Sequence, residues 1–193
     1  RQLKHGDSGW AVATRYVVQG FLHIIPAGLD HILFILGLFL LAVRWRPLLI
    51  QVSLFTVAHT ITLGVGTLGL LQLPAAVVEP LIALSITWIG IENLWREDLT
   101  RSRMAVVFAF GLLHGLGFAG VLGELGLSSQ HFLISLLSFN VGVEVGQLAV
   151  VCLGFLAVFS FRHKSWYRQR IVKPASVLIA LMGLVWGLER IVG

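Results

Sequence analysis

The chain has 193 residues, of which 57% are hydrophobic and 12% charged, and its mean hydropathy is +0.90. A water-soluble domain of this size carries about twice that share of charge, so a soluble globular fold is excluded, and with it the nucleic-acid partner that a net charge of +5 would otherwise raise. Membrane crossings of about 20 residues each leave no room for a separate globular domain, and Cys152, the single cysteine, excludes an internal disulfide and a cysteine-based metal site.

The first apolar stretch, Trp10 to Ile25, carries Arg15 and Gln19 and runs into Pro26. It is short and polar for a crossing and reads as an interfacial or re-entrant helix. Six spans follow, over about residues 27–43, 48–71, 76–95, 104–124, 131–160 and 174–191. The expected fold is all-α: a polytopic membrane helix bundle of six transmembrane helices plus the N-terminal helix, forming one transmembrane domain over residues 1–193.

Positive charge is distributed unevenly over this map. Arg44 and Arg46 follow the first span, Arg96, Arg101 and Arg103 the third, and Arg162, Lys164, Arg168, Arg170 and Lys173 the fifth. The other side holds Arg1, Lys4, Arg15 and Arg190, and its loops at 72–76 and 125–130 hold none. The positive-inside rule therefore predicts cytoplasmic loops one, three and five in a bacterial inner membrane, with both termini outside. An outside N-terminus predicts a signal peptide upstream of Arg1, with an exported domain as a further expectation.

Between Pro47 and Trp95, and between Met104 and Phe161, there is no Lys or Arg. These stretches nevertheless contain Glu79, Glu92, Glu124, Glu144, His59, His114 and His131, while Asp30 and His31 open the first span. An ionised carboxylate at mid-bilayer costs about 3 kcal/mol, so Asp30, Glu79, Glu92 and Glu144 require compensation. The expected forms are protonation, a histidine partner, a water-filled cavity or a bound cation. His59 and His114 fall near mid-helix, and His23, Asp30, His31 and Glu79 toward the outer end. In the fifth span Asn140, Glu144 and Gln147 share one face at i, i+4, i+7.

Ser53, Thr56, Ser85 and Thr87 read as hydrogen-bonding helix-interface residues, and the pairs Gly111/Gly115 and Gly142/Gly146 as close-packing seams. Several ionisable groups at similar depth do not read as packing, and they point to a cation site. Imidazole with carboxylate and amide oxygen suits nickel, cobalt, zinc or ferrous iron, whereas copper(I) would want sulfur and magnesium or calcium oxygen alone. In an unbroken helix His23 and Asp30 would stand about 10 Å apart along the axis. Either Pro26 and Gly28 break the helix and fold His23 back, or His23 belongs to a separate entry site.

The pieces His23, Gly28-Leu29-Asp30-His31, His59-Thr60, Glu79-Pro80, Glu92-Asn93, His114-Gly115-Leu116-Gly117-Phe118 and Asn140 through Glu144 to Gln147 make a set that resembles the HupE/UreJ family of membrane permeases. The resemblance implies a permease for a divalent transition-metal cation, nickel or cobalt, with zinc as a further metal. It implies His23, Asp30, His31, His59, His114 and Glu144 as metal ligands. Glu79, Glu92, Asn93, Asn140 and Gln147 read as a secondary polar pathway, in which Glu92 and Asn93, near the cytoplasmic end of the third span, form an exit site. The expected partners are the lipid bilayer, the metal ion and a second copy of the chain. The alternative is an intramembrane zinc hydrolase acting on a lipid amide or ester; no His-Glu-x-x-His segment supports it.

Overall fold

The computed structural model describes residues 8–41, 44–124 and 131–192. The N-terminal residues with Arg1 and Lys4, residues 42–43 of the first expected span and the expected loop at 125–130 lie outside the described residues, as does the Glu124 side chain.

Every element expected from the apolar runs is helical: α1 (Gly9–Ile24), α2 (Leu29–Leu41), α3 (Trp45–Thr67), α4 (Ala75–Glu92), α5 (Arg101–Glu124), α6 (Phe132–Val158) and α7 (Lys173–Val192), the last preceded by a π-helical turn over Arg168–Val172. Five of these, α3 to α7, are long and apolar enough to cross a membrane. Helix α2 is not, since its 13 residues reach about 20 Å against a hydrocarbon core of about 30 Å. It passes the same test only jointly with α1, to which it is joined at a 72° bend.

The bend follows from local chemistry. Pro26 pushes the residue before it out of the helical region, and Ile25 is extended at φ −122°, ψ 116°. Gly28 then passes so close to the His23 carbonyl oxygen that no Cβ would fit. At the far end of α1, the Ser8 hydroxyl accepts from the Ala11 amide and caps the helix.

The bundle consists of three helix pairs, α1 with α6, α3 with α5 and α4 with α7, arranged about the short α2. Helix α2 is apolar all round and buries Phe34, Ile35, Leu38 and Phe39, as a central helix must. The seams lie at the small residues expected to form them. Gly111 and Gly115 seat α5 on Phe55, Ala58 and His59 of α3, while Gly142 and Gly146 seat α6 on Val17, Phe21 and Ile24 of α1. This register makes α1 run parallel to the first half of α6, packed along it. The outward faces are apolar: on α6 Leu133, Leu137, Val141 and Val145 recur every four residues and are all exposed. That is the surface of a helix bundle whose solvent is lipid.

Candidate metal site

The helix break at Pro26 and Gly28 brings the end of α1 back onto the start of α2. His23 and His31 stand with ring centroids 4.8 Å apart, and His59 of α3 lies 6.2 Å from the first and 5.7 Å from the second. One ring nitrogen from each of the three lies within 4.8 Å of the others; these form the one such group of three His, Cys, Asp or Glu residues among the described residues. Two nitrogens bound to one ion at about 2.1 Å each are at most about 4.2 Å apart. Closing the set therefore takes side-chain shifts of a fraction of an ångström.

Each of the three rings has a nitrogen that the hydrogen bonds leave open. Nε2 of His23, of His31 and of His59 is in each case buried and without a partner, and buried polar atoms in that condition call for a ligand. His59 is oriented from behind, because its Nδ1 lies 3.0 Å from the amide oxygen of Asn140. Asn140 is itself anchored by its Nδ2 donating to the Leu136 carbonyl at 2.8 Å. An N–H donated from Nδ1 leaves the lone pair on Nε2, the arrangement found behind metal-binding histidines. His114 packs against His31 at 4.8 Å between centroids, with Nε2 3.2 Å from the Ser85 hydroxyl and a buried, unpartnered Nδ1. It is a neighbour of the group of three and not one of it.

Aromatic rings enclose the histidines. Phe118 lies 4.0 Å from His23 and stacks on Phe139, and Phe55 touches His31, His59 and His114. His31, His59 and His114 are at most 6% exposed, so an ion held there would be stripped of most of its water.

The acids lie elsewhere. Asp30 does not join the histidines: both of its oxygens accept from Arg190 Nη2, at 3.1 and 2.9 Å, and Arg190 Nη1 donates to the Glu79 carbonyl. Glu92 ion-pairs with Arg96 at 2.7 Å and with the fully buried Arg103. Asn93 accepts from Arg103 and donates to the Gly37 carbonyl at 2.7 Å. Glu92 and Asn93, the residues of the expected exit site, thus tie α4 to α5 and α2. The compensation of Asp30 and Glu92 is also other than expected, because arginines on neighbouring helices reach them. Arg190 falls inside the apolar run 174–191, and an arginine at that depth was the available signal for such a pair.

Glu144 accepts from the Ser53 hydroxyl at 2.7 Å and faces a groove of about 800 Å3 between α3 and α6, which Thr56, Thr60 and Asn140 also line. Gln147 accepts from Thr56 at 3.1 Å, and the Glu79 side chain is exposed. Ser53, Thr56 and Ser85 do bond across helices as expected, and each holds a residue of the polar set. Thr87 bonds within its own helix, to Ala83.

A family model described as HupE / UreJ protein matches residues 1–190. No curated protein and no solved structure matches the chain. The family and the apolar helices make this a multi-pass membrane protein, and the family suggests a transport-related role for a metal ion in that membrane. With all but the last three of its 193 residues matched, the chain belongs to the HupE/UreJ family.

Proposed function

We propose that the chain is a permease for a divalent transition-metal cation, nickel or cobalt, and that His23, His31 and His59 form the site through which the ion passes. One observation carries this reading: three histidines from three helices, gathered at a helix break, each with a buried Nε2 that has no partner. Imidazole is a borderline donor that suits nickel, cobalt and zinc. A structural site would close a four-ligand shell, whereas three neutral donors without a carboxylate bind an ion that must also leave. A break at mid-helix is the usual transporter arrangement for reaching an ion with side chains and freed backbone together.

By the positive-inside rule the arginine-rich end is cytoplasmic, in a bacterial inner membrane. Helices α1 and α7 then both have their outer ends on the far side, so the ion moves inward from there. The Asp30–Arg190 pair stands beside the histidines, one residue before His31, and yields during passage.

The test is uptake of Ni2+ and Co2+ into proteoliposomes by wild type, His59→Ala and Asp30→Asn, with bound metal counted on the same samples. The reading expects saturable uptake that falls at least about ten-fold in His59→Ala. Stoichiometric binding without movement in wild type overturns it. Tightly retained zinc with release of a fatty-acyl product from added lipid would establish the hydrolase instead.

A further inference from the structure

The arginine-rich end of the bundle holds a second cavity, of about 440 Å3, lined by Leu40, Arg44, Glu97, Arg162, Tyr167 and Arg168 among others. Three guanidinium groups face one carboxylate, and that carboxylate is already taken, since Arg168 Nε lies 2.9 Å from Glu97. Among the described residues neither Arg44 nor Arg162 has an acidic partner.

Two of the guanidinium groups are held in place, and Arg44 at the rim is exposed. Arg162 lies over the rings of Phe155 and Phe159, at 5.8 and 5.2 Å from their centroids, with its Nε buried and unpartnered. Arg168 is held by the carbonyls of Asn93 and Arg96. Tyr167 is 6% exposed, yet its hydroxyl has no partner. Burial pushes its phenol above the ordinary value of 10.0, so the group remains a donor. An orphaned buried hydroxyl beside uncompensated guanidinium groups is costly in the absence of an acceptor that bears negative charge. Arginine forks match phosphate oxygens in particular. The surroundings are those of a headgroup zone, with Trp45 stacked on Phe155, Trp166 against Phe161, and leucine side chains forming the inner wall.

We propose that this cavity binds a phosphate group, borne by an acidic phospholipid headgroup or by a soluble phosphate compound, with Arg44, Arg162 and Tyr167 as its donors. The site shares no residue with the histidine cluster, and it stands or falls independently of the permease reading.

The experiment titrates the detergent-solubilised full chain with short-chain phosphatidylglycerol and, separately, with inorganic phosphate, reading affinity and thermal unfolding. Wild type is compared with Tyr167→Phe and Arg162→Gln. Each variant is expected to bind about ten-fold more weakly, the loss of one charge-assisted hydrogen bond. Tyr167→Phe removes only an oxygen that lacks a partner, so without added anion it unfolds at the same or a higher temperature than wild type. With saturating anion the order reverses, which a purely structural role would not produce. Binding of phosphatidylglycerol alone identifies a lipid site, and competitive binding of inorganic phosphate identifies a soluble one. Equal affinities in wild type and both variants for both probes overturn the proposal.

Discussion

The Nδ1 of His59 and the amide oxygen of Asn140 lie 3.0 Å apart, joining α3 to α6 at the histidine cluster. This contact places the N–H of His59 on Nδ1 and leaves the lone pair on Nε2. Asn140→Leu removes the acceptor and frees the ring to turn. Metal affinity, titrated on purified protein, is expected to fall about 10- to 100-fold. Asn140→Asp keeps an acceptor in place and is expected to restore most of it. An Asn140→Leu variant that binds metal like wild type would remove Asn140 from the site.

Asp30 and Arg190 form a pair whose side chains are each 26% exposed. Partial exposure limits its worth, and a double-mutant cycle of Asp30→Asn with Arg190→Gln is expected to give a coupling of about 1 kcal/mol in unfolding. Because Asp30 stands outside the three-histidine group, Arg190→Gln is expected to leave metal affinity within about two-fold of wild type while changing uptake. A large loss of affinity would instead make the carboxylate a ligand.

Glu92 and Arg103 are both buried, and breaking a buried ion pair from one side is costly. Glu92→Leu is expected to destabilise the protein by about 3 to 5 kcal/mol, measured by unfolding in mixed micelles. Glu92→Leu combined with Arg103→Met removes both charges and is expected to recover most of that loss. If Glu92→Leu folds normally and only slows metal release, Glu92 is an exit-site residue and not a structural one.

A Cβ on Gly115 would meet the His59 carbonyl and the Thr62 hydroxyl, neither of which can move aside cheaply. Gly115→Val is therefore expected to push α5 off α3 and to cost about 3 kcal/mol or more. The nearest atom to a Cβ on Gly187 is Ala83 Cβ, at 3.7 Å. Gly187→Ala makes an ordinary van der Waals contact within a helix and is expected to be neutral or stabilising by up to about 1 kcal/mol. Thermal unfolding of the two variants side by side checks the contrast.

The amino-acid sequence by itself determined the class of fold, the number and order of the helices and the uneven placement of positive charge. Those features depend on local composition: an apolar run of a given length has few stable states in lipid besides helix. The Gly111/Gly115 and Gly142/Gly146 seams were legible for the same reason, because a small residue at helical spacing permits close approach whatever its partner. Which side chains meet depended on the tertiary structure. His23, His31 and His59 converge because the chain bends by 72° at Pro26 and Gly28, and the sequence left open whether that break would bring His23 inward. Asp30 looked uncompensated along the chain, since Arg190 lies 160 residues away from it, and of the two arginines on Glu92 only Arg96, four residues on, was near in sequence, Arg103 lying 11 residues away. Coulomb attraction acts through space and not along the chain, so the packing of α7 beside α2 gave Asp30 its arginine, that of α5 beside α4 gave Glu92 its second, and the imidazoles were left as the open donors.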